Sequence, residues 1–196
     1  RYPELQGEAV VIGGGRRAQP ELLADGTRRF ATLATYKGRG VVTTATYPAR
    51  DLGVHSGMGL MKAALRAPQA VLLPTDFERY RLYSRRFKAA VAEVAPTIED
   101  RGIDEIYIDL TDVPGVQDSI GHDPFGGVRA VAQDIRNNVR SATGLTCSMG
   151  ITPNKLLAKI ASELDKPDGL TVLTHDDLPR RVWPLPVRHI NGIGPK

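Results

Sequence analysis

The sequence predicts a fold of the α/β or α+β class, in which helices pack on a β-sheet. Short runs rich in Val, Ile and Leu recur along the chain, and they alternate with helical patterns of about ten or more residues. Strands and helices that alternate in this way bury their apolar faces against one another. The 196 residues are enough to bury a substantial core, as one domain or as one domain with part of another.

The composition is typical of a soluble globular protein, with 41% hydrophobic and 24% charged residues. The single cysteine, Cys147, cannot form an internal disulfide, and the four histidines lack the spacing of metal ligands. No apolar run approaches membrane-spanning length. The sequence therefore argues against a disulfide scaffold, a cysteine-based zinc site and a membrane protein, and it favours a reducing compartment, the cytoplasm. A net charge of +4 allows a polyanionic partner without requiring one.

The first elements are a short buried strand and a long polar span. Residues 9–12 read as the strand, which a triple glycine at 13–15 ends. Those glycines are not a phosphate-binding P-loop, because no Gly-Lys-Ser/Thr follows them. Residues 16–40 are polar and basic, and they predict a long loop or a weak hairpin. Loops of this length within a compact domain are usually functional or mobile.

Helical periodicity dominates the next stretch. Residues 59–67 predict a helix and residues 71–73 predict a strand. The strongest helical pattern follows, with Thr75 as its expected N-cap. Five basic residues lie away from the apolar stripe of this helix. A charged helix face is usually a solvated face, and contact with DNA is the alternative. The five residues are Arg79, Arg81, Arg85, Arg86 and Lys88.

The second half repeats the alternation of strands and helices. Thr152 followed by Pro153 predicts the start of a helix in which Leu156 and Ile160 belong to the buried face. The remaining predicted elements are strands at 97–99, 103–110, 145–151 and 170–173, and a helix at 128–139.

Two adjacent carboxylates, Asp104 and Glu105, stand at the beginning of an apolar strand. After them Ile106 and Ile108 share one face of the strand, and Tyr107 lies on the other. Neighbouring negative charges repel each other and resist desolvation unless a cation or hydrogen-bond donors compensate them. A divalent metal such as Mg²⁺ would do so, because it prefers hard oxygen ligands. Taken alone, such a pair is more often a solvated turn.

Four sequence motifs in a fixed order give the pair a context. They are TATYPAR at 44–50, IDEIYID at 103–109, NKLLAKIA at 154–161 with KPDG at 166–169, and INGIG at 190–194. With these motifs the sequence resembles the Y-family, or translesion, DNA polymerases, and it is most similar to the bacterial DNA polymerase IV group. Each motif alone is a weak or moderate signal, whereas the ordered set is strong. The resemblance covers nearly the whole chain.

The resemblance implies an α+β fold, namely a ferredoxin-like polymerase palm with a small fingers subdomain and the start of a helical thumb. It places residues 1–8 and 69–165 in the palm, residues 9–68 in the fingers, and residues 166–196 in the palm-to-thumb segment and the start of the thumb helix-hairpin-helix. It also implies a first palm strand upstream of this chain, with a further metal-binding aspartate and the steric gate, and a little-finger domain elsewhere. The chain is therefore interpreted as a fragment that does not extend a primer at a useful rate by itself.

The activity implied by the resemblance is template-directed DNA synthesis past lesions by two-metal nucleotidyl transfer. Asp104 and Glu105 match the catalytic carboxylates that hold two Mg²⁺ ions. The implied partners are primer-template DNA, deoxynucleoside triphosphates, and the sliding clamp through a region outside this chain. The residues matched to triphosphate binding are Thr44, Tyr47, Arg50 and Lys166, and those matched to DNA binding are Gly192, Gly194 and Lys196.

Two secondary assignments accompany this site. Lys159 is interpreted as a support for its helix or for the DNA backbone, and Asp109 as a structural residue. The main alternative function is a catalytically inert, Y-family-like accessory protein that binds DNA in mutagenesis, against which the retained Asp104–Glu105 pair argues. A nucleotide cyclase would also use two metals, but it would leave the fingers and thumb motifs unexplained.

Overall fold

The fold divides into two compact units, residues 1–77 and residues 78–196. A computed structural model describes residues 2–15 and 18–193. Each unit has its own hydrophobic cluster of buried side chains. The boundary between the units lies at 77/78, whereas the palm, fingers and thumb boundaries given above stay a prediction.

Strands and helices mix along the whole described chain, which confirms the α+β class. The strands are β1 (Val10–Ile12), β2 (Glu21–Leu22), β3 (Arg28–Arg29), β4 (Ala31–Thr32), β5 (Thr44–Ala45), β6 (Val71–Leu73), β7 (Ile98–Asp100), β8 (Ile106–Ile108), β9 (Met149–Ile151) and β10 (Leu170–Val172). The α-helices are α1 (Tyr47–Asp51), α2 (Leu60–Arg66), α3 (Phe77–Ala92), α4 (Gly126–Thr143), α5 (Lys155–Leu164) and α6 (Leu178–Arg181).

The first unit is built on a four-stranded sheet in the order β4-β6-β1-β5. The central β1 runs parallel to β6 and antiparallel to β5. Within residues 16–40, β2 and β3 form the predicted weak hairpin. The end of this span was not predicted, because β4 joins the four-stranded sheet and Leu33 is buried in the core. The core contains Val11, Leu33 and Leu60, each with 0% of its surface exposed. Burying these side chains is the main stabilising contribution to this unit.

The second unit contains two small sheets that share one hydrophobic core. β7 pairs antiparallel with β8, and β9 pairs parallel with β10. Ile106 and Ile108 of β8 and Met149 of β9 pack against the same cluster, which includes Val91 of α3 and Ile135 of α4. The predicted strand pair and the predicted helix over 128–139 are therefore confirmed, but β8 is shorter than the predicted 103–110, and Asp104 and Glu105 precede it.

Cys147 packs against this cluster as a free, partly buried thiol. Burial raises the pKa of its thiol above the ordinary value. A neutral thiol packed against a core is typical of a structural cysteine.

The start of α5 differs from the sequence prediction. Asn154, rather than Thr152, is the N-cap, because the Asn154 side chain accepts a hydrogen bond from the Leu157 amide at 3.0 Å. The Thr152 hydroxyl instead donates to the Asn154 carbonyl oxygen at 2.7 Å. Leu156 is 50% exposed, so the buried face of α5 is narrower than predicted and centres on Ile160.

The start of α3 also lies later than predicted. The helix begins at Phe77 rather than directly after Thr75. The Thr75 hydroxyl lies 3.1 Å from the Thr43 hydroxyl, an interaction within the first unit. Among the helices of the described residues, none has the length and apolar character needed to cross a membrane.

Candidate active site

Asp104 and Glu105 lie between a tight turn and the first residue of β8. Asp100 Oδ1 accepts a hydrogen bond from the Gly102 amide at 2.8 Å, and Gly102 has a φ of 128° that favours glycine. Lys88 donates to Asp100 Oδ2 and to the Gly102 carbonyl oxygen, each at 2.7 Å. These three hydrogen bonds fix the turn that precedes the two carboxylates.

The alternation along β8 separates the core face from the polar face. Ile106 and Ile108 pack into the core of the second unit. On the other face, the Tyr107 ring lies 5.8 Å from Lys155 Nζ and 5.8 Å from the Arg101 guanidinium carbon. The acidic pair therefore lies directly before a strand whose polar face is flanked by two cationic side chains, Arg101 and Lys155.

The donor set suits a hard divalent cation. Both carboxylates are exposed at the surface, and in the described part of the chain Asp104 takes part in no ion pair. Mg²⁺ is commonly bound by one or two carboxylates together with substrate phosphates, and these two residues meet that requirement. Residues 2–15 and 18–193 contain no cluster of three or more His, Cys, Asp or Glu side chains that could hold a metal by themselves.

Glu105 does not stand alone, because Lys159 of α5 donates a hydrogen bond to its carboxylate. The same ammonium donates to Glu163 Oε1 at 3.0 Å, one turn further along the helix. Burial by itself would lower the pKa of Lys159, but hydrogen bonds to Glu105 and Glu163 outweigh it and raise that pKa. The ammonium is therefore held in its charged form between two carboxylates.

Lys166, matched to triphosphate binding, joins the same group of charges. Its ammonium donates to Glu163 Oε1 at 2.7 Å. Burial would raise the pKa of Glu163, but hydrogen bonds from Lys166 and Lys159 outweigh it and lower that pKa. No sequence motif includes Glu163. Its signal was the spacing of Lys159 and Glu163, which lie one turn apart on α5, with Lys166 two residues beyond the end of that helix.

The position of α5 and of Lys166 is fixed by close packing. A Cβ at Gly150 of β9 would lie 2.3 Å from the Ala158 carbonyl oxygen, so only glycine permits this approach of helix and strand. A Cβ at Gly169 would lie 2.0 Å from the Asp165 carbonyl oxygen. The glycine of the KPDG motif is therefore required for the turn that carries Lys166.

Asp168 anchors the same turn to α4. Its backbone is left-handed, with a φ of 54°. Arg136 Nη2 donates to the Asp168 carbonyl oxygen and to Oδ1, each at 2.6 Å, and Arg140 Nη2 donates to Oδ2 at 2.7 Å. Hydrogen bonding from Arg136 is the main reason that the pKa of Asp168 lies below its ordinary value. Sequence reasoning missed this contact, which joins residues far apart along the chain.

The two arginines are expected to differ in their effect on stability. The Arg136 side chain is 15% exposed and the Arg140 side chain is 60% exposed. We expect Arg136→Met to lower Tm by about 5 °C, because it leaves Asp168 Oδ1 and the Asp168 carbonyl oxygen without their donor, while Arg140 still bonds Oδ2. Arg140→Met, the matched control, should lower Tm by less than about 2 °C. Thermal unfolding followed by circular dichroism checks this, and equal shifts would contradict it.

In the first unit, the structure brings Tyr47 and Arg50 together. Both belong to α1, and the Arg50 guanidinium carbon lies 5.2 Å from the centre of the Tyr47 ring. Arg50 Nε donates to the Ala45 carbonyl oxygen at 2.9 Å. Both side chains are exposed, whereas Thr44 on β5 is half-buried. A guanidinium and a phenol, both of which can donate hydrogen bonds to an anion, therefore lie side by side at the surface.

The residues matched to DNA binding are only partly described. Gly192 is exposed and has a φ of 90° in a turn. Gly194 and Lys196 lie outside the described residues. Asp109, interpreted as structural, accepts hydrogen bonds from the Thr111 amide at 2.9 Å and from the Thr111 hydroxyl at 2.6 Å.

Comparisons with known proteins identify the relatives of this chain. Residues 1–163 match the model of the impB/mucB/samB family. The DNA polymerase IV of Halorhodospira halophila is 39% identical over 193 residues, which are 98% of this chain and 46% of that protein. The DNA polymerase IV of Methanoculleus marisnigri is 40% identical over 196 residues, which are 100% of this chain and 47% of that protein. The chain thus spans about half the length of the curated relatives it matches.

Solved structures give the same result. An insertion ternary complex of Dbh DNA polymerase matches with a TM-score of 0.74 at 29% identity, over 98% of this chain and 49% of that one. DinB from Sulfolobus solfataricus matches with a TM-score of 0.73 at 29% identity, over 98% of this chain and 48% of that one. With the family match over most of its length, the chain belongs to the impB/mucB/samB family, that of the Y-family DNA polymerases.

Proposed function

We propose that this chain is the catalytic core of a DNA-directed DNA polymerase that copies templates past lesions by two-metal nucleotidyl transfer. The observation that carries the proposal is the exposed Asp104–Glu105 pair at the mouth of β8, with Lys159 and Lys166 connected to it through ion pairs. Phosphoryl transfer requires positioning and charge neutralisation rather than covalent chemistry by the protein, and these residues can supply both.

In this proposal, Asp104 and Glu105 would hold the metal ions. Two Mg²⁺ ions, when bound, would lower the pKa of the primer 3′-hydroxyl and neutralise the charge of the triphosphate. Lys166, Arg50 and Tyr47 bind the phosphates as donors, the arginine through two parallel hydrogen bonds. Thr44 lines the nascent base pair.

The sheets of the second unit support a further strand in this site. In the described residues, β8 pairs only with β7, and β9 pairs only with β10. Both sheets nevertheless pack against one core. A palm strand that carries a further aspartate, as the family resemblance implies, would pair with these open edges and complete the set of metal ligands.

The proposed partners are primer-template DNA and deoxynucleoside triphosphates. The Dbh ternary complex supports this choice. Gly192 and the residues after it would approach a DNA phosphate through backbone amides, without sequence preference. The palm, fingers and thumb boundaries, a clamp contact outside this chain and a cytoplasmic location belong to the same proposal.

The proposal is tested by nucleotide incorporation. The complete polypeptide that contains this chain is expected to extend a primer on an undamaged template and across a lesion when Mg²⁺ is present. DNA binding without incorporation would instead indicate the inert accessory protein.

A substitution in the first unit tests triphosphate binding. In the complete polypeptide, Arg50→Lys is expected to raise KM for the incoming nucleotide about tenfold, because lysine cannot replace a two-pronged phosphate contact. Arg66→Lys is the matched control. Arg66 donates to the Gly53 carbonyl oxygen at 2.6 Å and has no proposed role in binding. Steady-state kinetics measures both, and equal KM values for the two variants would exclude Arg50 from the phosphate site.

A further inference from the structure

Four alternating charges form a continuous ion-pair network, Glu105–Lys159–Glu163–Lys166. Lys159 donates to Glu105 and, at 3.0 Å, to Glu163. Lys166 donates to Glu163 at 2.7 Å. The network thus runs from a carboxylate proposed to hold a metal to an ammonium proposed to bind a triphosphate. Glu163, at its centre, has no role assigned by the family motifs.

The contacts in this network compete with the contacts of the proposed substrates. While Lys159 donates to the Glu105 carboxylate, that carboxylate is less available to a divalent cation. While Lys166 donates to Glu163, its ammonium is less available to a phosphate. Glu163 accepts both lysines on the same oxygen, Oε1. If one lysine moves closer to Glu163, it neutralises more of the carboxylate charge, and the attraction between Glu163 and the other lysine becomes weaker.

We propose that Glu163 is a positioning residue that couples the two halves of the site. When Glu105 holds a cation, Lys159 loses that partner and neutralises Glu163, and Lys166 is released for the triphosphate. The inference rests on the proposed roles of Glu105 and Lys166. Because coupling between two sites is reciprocal, a phosphate bound to Lys166 also favours the transfer of Lys159 to Glu163 and so frees Glu105.

The test measures the two ligands separately in the complete polypeptide. Mn²⁺ binding is followed by electron paramagnetic resonance, and binding of dATP in EDTA is followed by calorimetry. Glu163→Gln removes the acceptor charge that attracts both lysines. Lys166 is then already free, so dATP should bind about fivefold more tightly. Lys159 then remains on Glu105, so Mn²⁺ should bind about fivefold more weakly.

Lys159→Met should give the opposite pattern. No ion pair with Glu105 then has to be broken before the cation binds, so Mn²⁺ binding is expected to tighten about fivefold. Glu163 then attracts Lys166 alone, so dATP binding is expected to weaken by a similar factor. A purely structural role would weaken both ligands in both variants, which would overturn the proposal.

Two controls separate the network from a general change of charge. Glu99→Gln removes a carboxylate that pairs with Lys155, one turn earlier on α5, and should change neither affinity by more than about twofold. In a Lys166→Met background, Glu163→Gln should no longer tighten dATP binding, because the ammonium that it releases is absent. Shifts in Glu99→Gln equal to those in Glu163→Gln, or tighter dATP binding that persists without Lys166, would overturn the coupling.

The same measurements distinguish this inference from the proposed function. Mn²⁺ binding that does not depend on Asp104, together with dATP binding that does not depend on Lys166, would overturn both. If both dependences are found and Glu163→Gln changes neither affinity, only the coupling is wrong. All variants are compared by circular dichroism, so that unfolding is not read as lost binding.

Discussion

Asp104→Ala in the complete polypeptide is expected to reduce the rate of nucleotide incorporation by about a thousandfold or more. Asp104 is exposed, and in the described residues it has no ion-pair partner, whereas Glu105 is engaged by Lys159. Its oxygens are therefore the more available of the two carboxylates for a cation. Without Asp104, the pair retains only Glu105, whose charge is already shared with an ammonium.

Single-turnover incorporation measures this loss. Mn²⁺ binding should weaken in parallel, which separates a lost ligand from a misplaced primer. Asp112→Ala is the matched control, because Asp112 is an exposed carboxylate beyond the end of β8. Its rate should stay within about twofold of the unmutated protein. A rate for Asp104→Ala that matches the rate for Asp112→Ala would remove Asp104 from the proposed catalytic pair.

Local periodicity explains why so much of the fold was predictable. The alternation from Glu105 to Leu110 predicts a strand with one apolar face, and β8 packs Ile106 and Ile108 into the core. The apolar spacing over 128–139 predicts a helix, and α4 buries Val131, Ile135 and Val139 on one side. Each of these patterns is repeated several times along its element. The type of element is therefore predicted correctly even when its first or last residue is not.

The ends of helices were less predictable, because several neighbouring residues can act as the cap. Thr152 and Asn154 both have a side-chain oxygen that can accept from a backbone amide. The choice between them depends on the backbone conformation after β9. In the structure Asn154 bonds the Leu157 amide, and Thr152 bonds the Asn154 carbonyl.

Contacts between distant residues could not be read from the sequence. The bonds of Arg136 to Asp168 join α4 to the turn after α5. The bond of Lys159 to Glu105 joins α5 to the start of β8. Both depend on how the helices pack on the strands, and spacing along the chain does not encode that packing. The motifs identified the residues of the candidate site, whereas the structure supplied the charges that connect them.

The stability of the first unit is expected to depend strongly on Leu60. This side chain is 0% exposed in the core on which β1, β6 and α2 pack. Leu60→Ala removes buried apolar atoms and leaves a cavity, so it should lower the free energy of unfolding by about 3 kcal/mol. Leu65→Ala on the same helix is the matched control. Leu65 is 88% exposed, and the change should stay within about 0.5 kcal/mol.

Urea unfolding measures both values, and amide hydrogen exchange assigns the loss to residues 1–77. Because Thr44, Tyr47 and Arg50 lie in this unit, unfolding it would also remove their proposed contacts with the triphosphate. A loss of about 3 kcal/mol leaves most molecules folded at 25 °C if the unit has ordinary stability. Nucleotide affinity of Leu60→Ala should therefore be unchanged at 25 °C. On heating, its affinity should be lost at a lower temperature than that of the Leu65→Ala control. A loss of affinity at 25 °C without unfolding would mean that Leu60 shapes the site directly rather than through the stability of the core.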